Sequence, residues 1–296
     1  MSSFWSIVVD IVILANMVGG YFLIRWVAKP VKGETKEGEP TGHVWDGDLT
    51  ELNNPMPRWW LFMFYITIMF ALSYVALYPA LNNYSGLLGW TSAKEYQQEV
   101  DNANEKYGPI FSQFSKTPLE ELSKDEHAQK VGQRLFVTYC AQCHASDAGG
   151  SRGFPNLTDN DWLWGGKASD IKQTIMHGRN ATMPAWGSVL KPLQIGYVAD
   201  YILSLSGREH KATDATRGKA IFANYCAACH TADATGNQAM GAPNLADRVW
   251  LYGASRNKII ESITHGRSGK MPPHKTFLGE DKVHVLAAYV YGLSKK

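Results

Sequence analysis

The sequence predicts a mainly α-helical protein in which two N-terminal transmembrane helices precede two tandem helical domains. Three observations lead to this fold class. Two apolar stretches within the first 81 residues are each long enough to cross a bilayer. The sequence after residue 130 contains the same pattern twice, which indicates a duplicated domain. Apolar residues in both copies recur at helical spacing, so each copy is expected to be α-helical.

The first apolar stretch, residues 4–24, is interrupted only by Asp10 and Asn16. At 1.5 Å per residue it is long enough to span the ~30 Å hydrocarbon layer. Residues 1–3 carry no basic side chain and no small-residue cleavage site follows, so a retained span over 1–27 is expected rather than a signal peptide. Asp10 is expected either near the membrane interface or paired with another membrane subunit.

Residues 28–57 are polar and rich in glycine and proline, which predicts an exposed linker. The second predicted span occupies 58–81, because Trp59 to Tyr78 contains no charged residue. The linker and its flanks hold the basic residues closest to the membrane: Arg25, Lys29, Lys32, Lys36 and Arg58. The positive-inside rule therefore predicts a cytoplasmic linker, with the N-terminus and everything after residue 81 outside.

Residues 82–130 are predicted to be a connector with short helices, and they carry 5 Lys and 8 acidic residues. One helix is expected from Ser92 to about Tyr107 and another to start at Thr117-Pro118. A charged segment of this kind is more often a solvated surface than a docking surface.

The repeats are assigned to residues 131–206 and 214–296, joined by a linker at 207–213. The second copy follows the first at an offset of 86 residues up to the cysteines and 88 residues after them. Matching pairs include Gly132 with Gly218, Trp162 with Trp250, and Met183 with Met271. This similarity indicates tandem duplication of a module of about 80 residues.

All 4 cysteines lie in two Cys-x-x-Cys-His motifs, 140–144 and 226–230. This motif is the attachment pattern of c-type haem, in which two thiols form thioethers and the histidine faces the iron. A zinc site would require further compact ligands, and a thioredoxin-like pair would require a βαβ context. The motifs therefore predict two covalently bound haems, attached through Cys140 and Cys143 and through Cys226 and Cys229, with His144 and His230 as axial ligands.

In the first repeat, helices are predicted at Gly132–Tyr139 and Ile195–Leu205, with a loop wrapped around the porphyrin between them. The pattern resembles the class I cytochrome c fold, in both repeats. Met183 and Met271 are the candidate sixth ligands, because both precede a proline at the same repeat position and the resembled family uses Met-Pro in this role. Each methionine is expected to serve its own repeat, with exchange between the repeats left open.

Other residues of the repeats receive weaker assignments. Arg179 and Arg267 are candidate partners of the haem propionates, more so than His177 and His265, although a structural loop role is equally compatible. Trp162 and Trp250 are expected to pack at the haem edge. Four histidines without repeat counterparts are interpreted as surface or loop residues: His127, His210, His274 and His284.

Residues 131–296 carry 19 basic and 12 acidic residues, and the excess lies mostly in the second repeat. Such a domain attracts an acidic partner. The basic residues are scattered, which argues against a nucleic-acid-binding surface.

Together with the stretches 89–92 and 181–186, these features resemble the dihaem subunit III family of bacterial cbb3-type cytochrome c oxidases over nearly the full length. Many members have one span, so the first span marks a variant. The resemblance implies an electron-transfer subunit in the bacterial inner membrane with periplasmic haem domains. It also implies a soluble cytochrome c as donor, and as membrane partners a second cytochrome c subunit and a catalytic haem–copper subunit.

The spans contain no copper–histidine cluster, so oxygen chemistry is expected on another subunit. One alternative is a free-standing membrane-anchored dihaem shuttle. A dihaem peroxidase or a gas sensor would require an open haem, and the two Met-Pro pairs argue against both.

Overall fold

A computed structural model describes residues 3–29, 35–54, 56–81 and 84–295. The chain divides into an N-terminal unit, residues 1–105, and a C-terminal unit, residues 106–296. Most of the described residues lie in helices, as the sequence predicted.

The N-terminal unit contains the two predicted apolar helices, α1 (Ser3–Val27) and α2 (Arg58–Leu77). They contact each other, and the rings of Tyr21 and Tyr65 lie 6.3 Å apart. Both are long and apolar enough to cross a membrane. Helix α2 ends before residue 81, because Tyr78 takes an extended conformation before Pro79.

The predicted linker contains a hairpin of two antiparallel strands, β1 (Pro40–Trp45) and β2 (Leu49–Leu52). Asp46 and Gly47 in its turn have φ values of 50° and 89°, a left-handed conformation that Asp-Gly accepts readily. Pro30, Lys32 and Gly33 of the linker lie outside the described residues. The described part of the linker is exposed, as predicted, but it is not irregular.

The connector contains α3 (Ser92–Phe114) and α4 (Leu119–Leu122). The expectation of short helices is wrong for α3, which has 23 residues and continues through Pro109. Proline removes one backbone hydrogen bond, but Phe111 and Phe114 beyond it pack against a hydrophobic core. Tertiary packing therefore extends the helix past the point where local sequence would end it.

The C-terminal unit repeats one order of elements. The first repeat contains α5 (Glu126–Tyr139), α6 (Ala141–His144), α7 (Ala168–His177), β3 (Arg179–Met183) and α8 (Pro192–Leu205). The second contains α9 (Ala212–Tyr225), α10 (Ala227–His230), α11 (Arg256–His265), β4 (Arg267–Met271), α12 (Lys275–Leu278) and α13 (Glu280–Leu293).

Helices α7 and α11 lie where the sequence predicted only loop, so that prediction is wrong for these segments. Each is 10 residues long and buries two isoleucines one turn apart: Ile171 and Ile175 in α7, Ile259 and Ile263 in α11. The glycines and prolines that flank each helix lead to the prediction of a loop, because the apolar face between them is short.

The repeats exchange their C-terminal helices. Helix α13 of the second repeat packs on α5 and α7 of the first, whereas α8 of the first repeat packs on α9 and α11 of the second. We call residues 126–178 with 267–295 the split lobe, and residues 179–265 the continuous lobe. Each lobe has its own hydrophobic core.

One glycine in each lobe marks where the N-terminal and C-terminal helices of that lobe cross. A side chain at Gly132 of α5 would collide with Tyr289 of α13, and one at Gly218 of α9 would collide with Tyr197 and Tyr201 of α8. Equivalent aromatic pairs follow, with ring centroids 5.6 Å apart for Phe136–Tyr289 and 5.3 Å apart for Tyr201–Phe222. The exchanged contacts are thus alike in the two lobes.

The chain changes lobes at a two-stranded antiparallel sheet. Strands β3 and β4 pair so that Arg179 lies opposite Met271 and Met183 lies opposite Arg267. Gly178 and Gly266, with φ of 69° and 71°, end the preceding helices, and a Cβ on either would strike the opposite strand's last carbonyl.

The exchange redistributes charge. The split lobe carries 10 basic and 7 acidic residues and the continuous lobe 9 and 6, so each is formally +3. The excess of basic residues in the second repeat does not produce one strongly basic lobe, because β4, α12 and α13 carry their basic residues in the split lobe.

The lobes differ in the polar contacts that join their helices. In the continuous lobe the buried carboxylate of Asp200 accepts hydrogen bonds from Arg256 Nη2 (2.7 Å), Arg256 Nε (3.0 Å) and the Lys211 amide (3.2 Å). The corresponding residues of the split lobe are Ala288 and Ala168. Opposite charges therefore hold α8 to α11 in one lobe, and small apolar residues take their place in the other.

The split lobe has a histidine contact instead. His284 of α13 is only 7 % exposed, so its interpretation as a surface or loop residue is wrong. Its Nε2 lies 2.9 Å from the Thr117 carbonyl, to which it donates, and its Nδ1 accepts from Lys172 Nζ at 3.3 Å.

We expect Asp200→Ala to lower the free energy of unfolding by about 2 kcal/mol, because Arg256 loses its partner. Arg256→Ala in the same chain should restore part of this loss, since the pair then matches Ala288 and Ala168.

Burial raises the pKa of Asp200, but the hydrogen bonds and charges of Arg256 and Lys211 outweigh this effect, so the net result is a lowered pKa. The stabilisation is therefore complete above the normal aspartate pKa and is lost as the pH falls through the folded value. Denaturant titration of the Asp200→Ala variant and of the double variant measures these effects. An Asp200→Ala variant as stable as wild type would contradict the expectation.

Candidate functional site

The two Cys-x-x-Cys-His motifs have the same backbone arrangement. Each begins at the C-cap of its helix, α5 or α9, and its histidine ends a single helical turn, α6 or α10. The following amides fold back in register: Gly150 donates to the His144 carbonyl and Gly236 to the His230 carbonyl. The duplicated sequence therefore builds two equivalent sites.

Hydrogen bonds fix the tautomer of both histidines. His144 Nδ1 lies 3.0 Å from the Pro155 carbonyl, and His230 Nδ1 lies 3.0 Å from the Pro243 carbonyl. A carbonyl only accepts, so Nδ1 carries the proton and Nε2 keeps its lone pair. Burial lowers the pKa of both imidazoles, against the opposing effect of these bonds. A neutral imidazole with a free Nε2 is the form that binds iron.

The first cysteine of each motif lies in a protected environment. Burial, reinforced by the neighbouring Cys143 or Cys229, raises the pKa of the Cys140 and Cys226 thiols to about 11. Before any attachment these groups are therefore neutral at physiological pH, unlike the thiolates of a reactive or zinc-binding cysteine. Among the described residues, no group of three or more His, Cys, Asp or Glu is arranged to hold a metal ion.

The structure places each candidate methionine in the lobe of the other repeat. Met271 packs against the core of the split lobe, as do Cys140, Leu157 and Trp162. Met183 packs against the core of the continuous lobe, with the equivalent residues Cys226, Leu245 and Trp250. This differs from the expected pairing within one repeat, and its cause is the crossing of β3 and β4.

The two candidate arginines are held alike but differ in charge compensation. Arg179 Nε donates to Thr174 Oγ1 and Arg267 Nε to Ser262 Oγ, both at 2.9 Å. Arg267 also forms an ion pair with Glu261 at 2.9 Å, for which the first repeat has Gln173. No carboxylate pairs with Arg179 among the described residues, so its charge is the more available to an anion.

Sequence reasoning missed His274. It follows Met271 by three residues, and its amide donates to the Ile175 carbonyl at 3.0 Å. Burial is the main cause of the lowered pKa of His144, and the charge of His274 adds to it. Its repeat counterpart is Trp186, so the repeat alignment gave no signal.

Two buried side-chain nitrogens test whether the residues fit a haem. His274 Nδ1 and Trp250 Nε1 are two of the three buried side-chain nitrogens without a hydrogen-bond partner among the described residues, the third being Arg208 Nε. His274 belongs to the split lobe and Trp250 to the continuous lobe. An unpaired buried polar atom is costly unless a bound group completes it. The thiols, the free Nε2 atoms, the methionines and these nitrogens together fit a covalently attached haem in each lobe.

Contacts between the motif loops join the lobes. The Gly153 amide donates to the Leu251 carbonyl and Gln238 Nε2 to the Trp162 carbonyl, both at 2.9 Å. Arg152 Nη2 lies 3.3 Å from Glu261 Oε1. The two sites thus lie within one compact unit, the C-terminal one.

Comparison with known proteins agrees with these sites. A family model described as cytochrome c oxidase, cbb3-type, subunit III matches residues 127–202 and 213–290. A second, the N-terminal domain of cytochrome oxidase-cbb3, FixP, matches residues 37–85.

Similar proteins extend the match to the whole chain. The cbb3-type cytochrome c oxidase subunit CcoP of Rubrivivax gelatinosus is 43 % identical over 99 % of this chain and 96 % of its own. CcoP of Cereibacter sphaeroides is 42 % identical over 90 % of this chain and 98 % of its own. FixP of Azorhizobium caulinodans is 42 % identical over 86 % of this chain and 92 % of its own. The chain belongs to the CcoP/FixP family, subunit III of the cbb3-type cytochrome c oxidases.

Proposed function

We propose that this chain is a membrane-anchored dihaem cytochrome c that carries electrons from a soluble cytochrome c donor toward the catalytic subunit of a cbb3-type oxidase. The observation that carries the proposal is the pair of equivalent Cys-x-x-Cys-His sites, each in a lobe whose core also holds one of the two candidate methionines. Family membership supports c-type haem as the cofactor and assembly with other oxidase subunits.

The proposed residue roles follow from the packing. Cys140 and Cys143 would hold one haem, with His144 on one face of the iron and Met271 on the other. In the continuous lobe, Cys226 and Cys229 would hold the second, between His230 and Met183. The crossed pairs give each lobe the helix and methionine order of a class I cytochrome c.

When bound, haem would supply one-electron redox chemistry at its iron. The protein's own part is to hold and tune them. A methionine and a histidine would together hold each iron, which would raise its potential and favour electron transfer over ligand binding. The Pro155 and Pro243 carbonyls orient the imidazoles, and Arg179, with Arg267, would balance the propionate charges.

The proposed topology has the linker 28–57 in the cytoplasm and the C-terminal unit in the periplasm of a bacterial inner membrane. The basic residues beside both spans support it. Attachment of c-type haem on the periplasmic side gives independent support.

The proposed partners are a second cytochrome c subunit, the catalytic haem–copper subunit and the soluble donor. Family membership favours this assembly over a free-standing shuttle. The polypeptide of each lobe is formally +3, and the two propionates of its proposed haem would reduce this to about +1. Both lobes stay positive, which favours salt-dependent association with an acidic donor, and neither lobe attracts the donor more strongly than the other.

A pyridine haemochrome assay on the complex in mild detergent, with oxygen uptake measured alongside, tests the function. We expect two haems c for each copy of this chain, accompanying haem b, and oxygen uptake that depends on cytochrome c. Two haems c without haem b or oxygen uptake would favour the free-standing shuttle. One haem c per chain would contradict the dihaem assignment.

A further inference from the structure

The hairpin formed by β1 and β2 lies between the two spans and exposes its large apolar side chains. Trp45 and Leu49 face each other across the strands, and Val44 and Leu52 lie on the opposite side. These four side chains are between 47 and 62 % exposed. Nothing in the described part of the chain covers them.

Two strands alone are a weak structure in water. A single hairpin is marginally stable, and cross-strand pairs contribute only about 0.2–1 kcal/mol each. The backbone ladder nonetheless continues past the strands, because Gly38 donates to the Asn53 carbonyl and Asn53 to that of Glu39, at 2.8 and 2.9 Å. A formed hairpin with apolar residues on both faces is typical of an element that packs against a further surface.

The charge of the hairpin indicates what that surface is. Residues 35–54 contain one basic residue, Lys36, and five acidic ones: Glu37, Glu39, Asp46, Asp48 and Glu51. None of these five forms an ion pair with another described residue of the chain. Residues 35–54 therefore have a formal charge of −4, and the other basic residues near the spans, Arg25, Lys29, Lys32 and Arg58, flank this segment in the sequence.

The negative charge of the hairpin indicates whether it packs against lipid or against protein. The cytoplasmic leaflet is anionic and repels an acidic segment. Cytoplasmic loops of integral membrane proteins are instead enriched in Lys and Arg, and they attract it. The proposed topology puts the hairpin on this side of the membrane, so the inference rests on that part of the proposed function.

We propose that the hairpin 40–52 is a docking element, which binds the basic cytoplasmic loops of an integral membrane subunit of the oxidase. The apolar side chains of Trp45 and Leu49 fill the contact, and the carboxylates around them pair with Lys and Arg of the partner. The segment between the spans would thereby fix the chain to the complex on the cytoplasmic side of the membrane.

Photo-crosslinking in intact membranes tests the contact directly. Trp45 is replaced by p-benzoylphenylalanine in the full-length chain, and the matched control carries it at Tyr96, an aromatic of similar exposure that follows the second span. We expect position 45 to give a protein adduct with an integral membrane subunit, and position 96 not to give that adduct. Adducts with lipid alone at position 45 would overturn the proposal.

Charge reversal provides a second measurement. Glu39→Lys with Asp48→Lys should reduce the catalytic subunit that co-purifies with this chain about tenfold. The control, Glu99→Lys with Glu105→Lys on α3, should leave it unchanged, and the haem c content of both variants should equal that of wild type. Unchanged co-purification of the hairpin variant would overturn the proposal. If the wild-type chain co-purified with no oxidase subunit, both the proposed function and the docking proposal would be wrong. If the wild-type complex formed but position 45 gave no adduct with an integral membrane subunit, only the docking proposal would be wrong.

Discussion

Met271→Leu is expected to change the haem attached at Cys140 and Cys143, although this residue belongs to the other repeat. Met271 packs against the same core as Cys140 in the split lobe, so under the proposed ligation its loss would remove an iron ligand there. We expect a potential lower by roughly 0.1 V or more, within the ~0.8 V range that axial ligands span. The weak near-infrared Met–iron band of that site should also disappear.

A chain with one haem makes the assignment unambiguous. In the variant Cys226→Ala with Cys229→Ala, only the first motif can hold haem. Met271→Leu should then abolish the remaining near-infrared band, and the matched change Met183→Leu should leave it in place. The reverse result would show that each methionine serves its own repeat, and far-UV circular dichroism checks that all three variants are folded.

Fragments that follow the lobes should fold better than fragments that follow the repeats. Residues 179–265 contain all of the continuous lobe, so we expect this fragment to take up one haem and to unfold cooperatively. Residues 126–206 form a complete first repeat but lack α13, which buries 9 residues in the intact protein. The loss of its Val and Leu side chains from the core costs on the order of 10 kcal/mol, comparable with the whole stability of a domain.

Helix α8 cannot simply replace α13 in the shorter fragment. Asp200 would then take the place of Ala288, opposite Ala168 instead of Arg256, and would be buried without a partner. An unpaired buried charge costs about 3–5 kcal/mol, so the polar residues themselves select the exchanged pairing.

Thermal unfolding of both fragments after expression with a haem-attachment system measures the difference. Asp200→Ala should improve the repeat fragment 126–206 and weaken the lobe fragment 179–265. A stable, haem-loaded wild-type 126–206 fragment together with an unfolded 179–265 fragment would contradict the expectation.

Much of the architecture could be predicted because it depends on local sequence. The two apolar stretches, the helix before each motif and the C-terminal helix of each repeat have their apolar residues at helical spacing. The motif residues and the proline-linked methionines stand at equal positions in both repeats. These features require no knowledge of which segments meet in space.

The exchange could not be predicted because both pairings satisfy the same apolar pattern. Gly132 would accept Tyr201 by pattern as well as Tyr289, and Phe136 would pack on either. The discriminating pair, Asp200 and Arg256, lies in different repeats, and each looks like an ordinary surface residue in its own helix. Helix α3 shows the same limit, since its extension past Pro109 depends on a core that the local sequence does not contain.

The crossing at β3 and β4 also determines an order of events during synthesis. The first motif leaves the ribosome 86 residues before the second, yet its lobe is finished only when α13 has been made. The continuous lobe is complete at residue 265. The lobe around the motif that is synthesised first is therefore completed last. Its cysteines stay accessible to the haem-attachment machinery until the C-terminal end of the chain has been synthesised.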